Sequence, residues 1–259
     1  VFTLEGPARR ASQNRVLAAW LSIIAGYVNS AGFLIVGSFT SHVTGNAGRV
    51  ANDVVQRDFP AAGRALLLVL AFFLGAFAAN LLLLTRLLAR RAWMYSLLLL
   101  IEAALLAWFA SAGHEPLPLL GAHVADLKAA VLCFAMGLQN SMVTVISDAR
   151  VRTTHLTGVV TDLGIEAARW TRWTFGHASK LLPLEGRVAA ISRPHSVTSL
   201  LLLTILLGFL TGAVLGAEAT TLRGSQALYA PALALVLAAL YSGWTGRHAY
   251  ASGREGDPA

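Results

Sequence analysis

Unbroken apolar runs decide what this chain can fold into. Ala65 to Leu84 holds one amide, Asn80, and no charge, while Val197 to Ala217 holds only hydroxyls as polar groups. Neither run has the polar face that a helix of a water-soluble domain turns to solvent. A hydrocarbon layer of about 30 Å takes roughly 20 residues at 1.5 Å each. Six segments are that long, at about 16–37, 65–85, 92–112, 127–147, 197–217 and 228–245. The first and fourth are less pure, carrying Asn29 and Ser30, and Gln139, Asn140 and Ser141. Composition agrees, because with 13% charged residues the chain of 259 has too little charge to solvate a globule. The reading is an all-α polytopic membrane protein of about six transmembrane helices, a single membrane domain with tails at 1–14 and 247–259.

The net charge of +7 sorts by topology and does not call for nucleic acid. With the N-terminus inside, Arg49, Arg57, Arg64, Lys128 and Arg223 are the only basic residues left outside. That positive-inside asymmetry predicts cytoplasmic termini, with residues 38–62 and 148–195 on opposite sides of the membrane. The turn bearing Arg86, Arg90 and Arg91 weighs most, since short loops obey the rule best. Arg9, Arg10 and Arg15 precede a run too long for a signal peptide, so a retained helix is expected. Arg169 to Trp173 mixes basic and aromatic residues, as in a segment anchored among lipid headgroups. Cys133 is alone, which rules out an intrachain disulfide and suggests a buried, inert thiol.

A weak internal duplication is the next most informative feature. Gly26, Asn29 and Ser30 are followed by Ser41, His42, Val43, Thr44 and Gly45; Gly137, Asn140 and Ser141 are followed by Thr154, His155, Leu156, Thr157 and Gly158. Leu74, Gly75 and Ala76 resemble Thr211, Gly212 and Ala213 more loosely. Each unit, about 15–113 and 124–246, holds three spanning helices, and an odd number forces the second copy to enter the membrane from the other side. Inverted repeats of this kind recur in secondary transporters, where broken helices of the two halves form the substrate site. A duplication kept only for packing, with Gly26 and Gly137 at close helix contacts, is the plainer alternative.

These segments, GYVNSAGF, SHVTGN, MGLQNS and RTTHLTGVVTDLG, resemble the YoaK-like family of small bacterial inner-membrane proteins, a domain family of unknown function. The resemblance covers about residues 15 to 245. It implies a six-helix fold and supplies no activity. Thr174 to Pro194 is the stretch that follows it least.

Threonine is a good N-cap, so Thr44 and Thr157 are expected to start two helices, each re-entrant or interfacial. Each start would offer free amides and a positive dipole end to an anion or polar group, and the adjacent glycine would let a ligand come close. Asn46, Arg49 and Asp53 would line one face of the first helix, and Asp162 and Glu166 the same face of the second. Arg49 could pair with Asp53, or with Asp162 across a pseudo-twofold axis. The two histidines fit hydrogen-bonded packing, a proton or polar-substrate contact, or, with least support, metal ligation, since two ligands are all they would supply. Glu102, midway along the third span, must face the bundle or a wet cavity, or be protonated.

The candidate substrate path is therefore Asn29, His42, Thr44, Gly45, Asn46, Arg49 and Asp53 with Asn140, His155, Thr157, Gly158, Asp162 and Glu166, plus Glu102. No catalytic motif is present, neither G-x-S-x-G, a P-loop, G-x-G-x-x-G nor H-E-x-x-H, so no enzyme, cofactor or metal is expected. A transporter or permease for a small polar or anionic substrate, in contact with membrane lipids, is the leading expectation. A scaffold or sensor, and a lipid-active enzyme using His42 or His155 as base, are the rivals.

Overall fold

The computed structural model describes residues 10–85, 91–111, 124–178 and 196–251. Within them lie eight α-helices: α1 (Ala11–Val36), α2 (Val43–Val55), α3 (Phe59–Thr85), α4 (Arg91–Ser111), α5 (Val124–Ile146), α6 (Leu156–Ala178), α7 (Ser196–Arg223) and α8 (Tyr229–Ala251). Five stretches are long and apolar enough to cross a membrane, and the last, Ser196–Trp244, contains two helices. Gly224, at φ 59, opens the short 3-10 turn Gly224–Leu228 that separates α7 from α8. A positive φ suits glycine because it has no Cβ to strike the carbonyl.

Local chemistry sets the boundaries. Gly37, at φ 70, closes α1 by donating its N–H to Phe33 O at 2.9 Å. After α2, Arg57 takes a left-handed conformation, with its N–H on Val54 O and that of Asp58 on Asp53 O, a Schellman ending. Asp58 Oδ1 then accepts the Ala61 N–H at 3.0 Å, capping α3. That cap explains why α3 begins at Phe59, six residues ahead of the expected 65. Arg64, inside the added turn, stands 4.0 Å from Asp126 at the start of α5.

In a bilayer, helix packing gains nothing from hiding apolar surface, so close van der Waals contact and small residues decide it. The two tightest seams join α1 to α7 and α3 to α5. A Cβ built on Gly26 would lie 2.0 Å from Phe209 O, and one on Gly212 1.9 Å from Ile23 O. In the other seam a Cβ on Gly75 would lie 2.0 Å from Phe134 O, and one on Gly137 2.0 Å from Phe72 O. Both seams are parallel: Gly208 meets Ala19 and Gly216 meets Tyr27 in one, while Arg64 meets Asp126 and Phe72 meets Gly137 in the other. By contrast α4 and α8 run antiparallel, tied by Ser96 Oγ to Ala239 O (3.0 Å), while Ser225, in the turn before α8, donates its Oγ to Ala110 O near the end of α4 (3.3 Å).

Leu17, Leu21, Leu98, Leu106, Leu132 and Met136 fill the common core between α1, α4 and α5. α3 and α7 form the flanks and turn Phe73, Phe77, Leu207 and Val214 outward. Cys133 is buried with a free thiol, as expected. Thr174 to Pro194 lies outside the described residues from 179 onward, and so do the tails at 1–9 and 252–259.

Candidate functional site

The repeated motif builds the same local structure twice. Asn29, buried in α1, accepts both the N–H (3.1 Å) and the hydroxyl (2.9 Å) of Ser41 on its Oδ1. In the second half Thr154 Oγ1 donates to Asn140 Oδ1 at 3.1 Å. Asn29 lies seven residues before the end of α1 and Asn140 six before the end of α5. At 1.5 Å per residue each clamp draws the returning chain about 10 Å back alongside the helix it has just left. Thr40 packs its methyl against Gly32, about one turn nearer the end of α1 than Asn29. Both α2 and α6 therefore start well inside the length of the spanning helices.

The helix starts differ from the sequence expectation by two residues. His42, not Thr44, is the N-cap of α2: its backbone is non-helical (φ −94, ψ 69) and its carbonyl accepts the Asn46 N–H at 3.1 Å. His155 stands in the same relation to Val159 N, at 3.1 Å, so Thr157 is not the cap of α6. Thr44 and Thr157 are already helical and exposed. The glycines acquire a different purpose from the one their chemistry suggested. A Cβ on Gly45 would lie 2.1 Å from His42 Cδ2, and one on Gly158 would lie 3.0 Å from His155 Nδ1. Each imidazole lies over the first turn of its own helix, and glycine three residues on leaves it room. Both histidines are exposed, and Phe39, itself stacked on Phe33, meets the His42 ring edge to face.

The charged residues do not converge. α2 packs on α3, and α6 on α7, instead of on each other. Arg49 donates to Ser38 Oγ at 3.1 Å, and among the described residues it forms no ion pair with Asp53 or Asp162. Asp162 is exposed, Asp53 half-buried and Asn46 buried. Glu166 is buried and holds α6 to α7: Oε1 accepts from Arg169, and Oε2 from Ser199 at 3.3 Å. Trp170 reaches the same Ser199 with its indole N–H at 3.2 Å, which fixes the aromatic and basic segment against α7. Among the described residues no group of three His, Cys, Asp or Glu stands ready to hold a metal.

Glu102 has none of its surface exposed, and neither carboxyl oxygen has a hydrogen-bond partner among the described residues. Of three further buried hydroxyls that share that condition, Ser22, Thr40 and Thr153, the last two form a pair. They stand at equivalent places, each one residue before the clamped Ser41 or Thr154. Extending the repeat by one residue, to T-S-H-V-T-G and T-T-H-L-T-G, would have found them. Gln139 is the other polar group that the motif passed over. Its Nε2 donates to Leu21 O at 3.0 Å, tying the middles of α1 and α5 together.

The family described as "Protein of unknown function (DUF1275)" matches residues 17–241. A UPF0700 transmembrane protein of Rhizobium meliloti (strain 1021) is 29% identical over 235 residues, covering 88% of this chain and 86% of that protein. No solved structure matches. With a match that runs from α1 into α8, across both clamps and all the long apolar helices, the chain belongs to the DUF1275 family of transmembrane proteins.

Proposed function

We propose that this protein is a small transporter or permease-like carrier of a bacterial inner membrane, built from two inverted repeats. The carrying observation is the pair of asparagine clamps, each of which starts a helix inside the membrane-spanning layer. Unwound chain at that depth leaves backbone groups unpaired and is tolerated where it lines a polar path. The free amides at the starts of α2 and α6 point a positive dipole end inward, which favours a small anionic or polar substrate. His42, Thr44 and Gly45 line one start and His155, Thr157 and Gly158 the other, and two residues before each histidine stands a buried hydroxyl, Thr40 or Thr153, with no partner among the described residues.

The inverted arrangement draws support from the packing. Gly26 and Gly137, equivalent in the repeat, lie in different seams and approach carbonyls equally closely, and Gly75 and Gly212 answer them. α1 and α5 run in opposite directions past each other, since Leu21 meets Gln139 while Gly32 meets Leu132. Both termini are assigned to the cytoplasm on the charge asymmetry. In a Cys133→Ala background, a membrane-impermeant thiol reagent added outside should label Asp58→Cys and spare Arg150→Cys. Labelling of both, or of Arg150→Cys alone, removes the topology.

Transport itself is tested by loading proteoliposomes and following uptake of a panel of small anions and polar metabolites at two pH values. Uptake above protein-free vesicles is expected for at least one compound. Asn29→Ala and Asn140→Ala, each removing part-buried hydrogen bonds worth about 1 kcal/mol apiece, should lower that uptake about tenfold or more while the protein stays folded. Absence of flux across the panel from folded protein would favour the scaffold reading. Flux untouched by both variants would detach transport from the clamps.

A further inference from the structure

We propose that the groove between α4 and α8 seats one acyl chain of an anionic phospholipid, with the headgroup at the arginine-bearing end of those helices. The groove has a volume of about 390 Å³ and is lined by Trp93, Leu97, Leu100, Leu240, Gly243 and Trp244. On its floor Ser96 donates to Ala239 O, so the hydroxyl there is engaged and the wall is apolar. It opens outward, where Leu240 and Trp244 are 62% and 60% exposed. None of its lining residues belongs to the clamps or the helix starts, so the groove stands apart from the transport reading.

Its dimensions select the occupant. Trp93 and Trp244 sit level with each other, as the antiparallel register through Ser96 and Ala239 requires, and such rings settle at headgroup depth. From Trp93 to Leu100 the groove runs about 10 Å, against about 15 Å for one leaflet's hydrocarbon. A volume of 390 Å³ drawn out over about 10 Å leaves a cross-section of about 40 Å², half the roughly 80 Å² of a helix 10 Å across. A hydrocarbon chain fits that width, whereas a helix could reach the floor only through its side chains. The tryptophan end is also the basic end. α4 opens at Arg91, and Arg247 follows Trp244 in α8 by about one helical turn. Arginine near the membrane surface favours a lipid phosphate.

The test uses full-length protein in which Trp20, Trp108, Trp170 and Trp173 are phenylalanine, leaving Trp93 and Trp244 to report, with its fold checked by thermal unfolding. Vesicles of phosphatidylcholine receive acyl-brominated phosphatidylglycerol or acyl-brominated phosphatidylcholine at equal mole fraction, and quenching of tryptophan fluorescence is read. Brominated phosphatidylglycerol should show roughly fivefold higher apparent occupancy, the effect of about one arginine near the surface. Arg247→Gln should bring the two lipids closer together. Gly243→Phe, which fills the groove, should reduce quenching by both to a common lower level. Gly243→Ala should change nothing, since its Cβ would meet only Ser96 Oγ, at 3.8 Å. Leu97→Phe fills the groove from α4 and replaces Gly243→Phe if that variant does not fold. Equal quenching by the two lipids in the parent would make the groove ordinary annular surface. Quenching by neither, with a dimer captured by cross-linking at Leu240→Cys, would assign the groove to a second copy. Either result overturns the proposal.

Discussion

Gly26→Ala is expected to destabilise the protein by on the order of 3 kcal/mol, one added carbon having one of the largest effects any such change can have here. The reason is the 2.0 Å between its Cβ and Phe209 O, a backbone atom that no rotamer change can move away. The helices must separate, and in lipid the lost contact is the interaction that held them. Gly212→Ala should cost a similar amount, because its Cβ would strike Ile23 O in the same seam. The informative experiment is the pair of double variants, read as unfolding free energies in mild detergent. Gly26→Ala with Gly212→Ala should cost clearly less than the two single losses added, since the first change has already opened the seam for the second. Gly26→Ala with Gly137→Ala joins equivalent positions in separate seams, and should be close to additive. If the coupling appeared instead between Gly26 and Gly137, the helix pairing described above would be wrong.

That pairing was only partly legible in the sequence. The long helices announced themselves because a membrane span is a compositional object, and the expected 197–217 and 92–112 sit inside or beside α7 and α4. Gly26 and Gly137 were visible as repeated small residues, as were Gly75 and Gly212. No linear pattern said that Gly26 would meet Gly212 and not Gly137. Partner choice depends on which seams a three-dimensional arrangement makes parallel, and a one-dimensional repeat carries no such information. The start of α3 was missed for a simpler reason. Arg64 argues against a span when read alone, and its partner Asp126 lies on a different helix.

The candidate site shows the same division. The elements shared by both halves, Asn29 and Asn140, then Ser41 and Thr154, do touch within each half. Their spacing is local, and a buried amide in an apolar helix requires a nearby hydrogen-bonding partner. Thr44 and Thr157 misled because threonine caps helices well in general, whereas here the histidine two residues earlier is the residue with non-helical backbone. Arg49 and Asp162 misled because their charges match on paper. α2 and α6 pack on different flanks, where Arg49 finds the nearer hydroxyl of Ser38. Glu166 likewise resolves as a fastener of α6 to α7, its charge answered by Arg169 one helical turn on.

Glu102 is expected to separate the transport reading from a purely architectural one. Fully enclosed on α4 beside Leu98, Leu99, Ala103 and Leu106, it offers two oxygens that no described residue pairs with. Each buried polar group left without a partner costs about 1–3 kcal/mol, so an inert Glu102 would be a net burden on the fold. Glu102→Leu, close in size and free of polar atoms, should therefore raise stability by about 1–3 kcal/mol in a detergent unfolding assay. Glu102→Gln keeps the shape without the ionisable proton and should insert and fold like the parent. Glu102→Lys should not fold, because a fixed charge in that enclosure has nothing to offset its desolvation. A residue retained against such a cost calls for a compensating use, and intramembrane carboxyls are kept where a proton or substrate must be handled. In proteoliposomes Glu102→Gln should then abolish uptake, or its dependence on pH, while unfolding stays at the parent's level. If Glu102→Leu were stabilised and transported as well as the parent, the carboxyl would have no part in the path. If it were destabilised instead, Glu102 must find partners in the folded state, and the enclosure would have to open in a second conformation that supplies them.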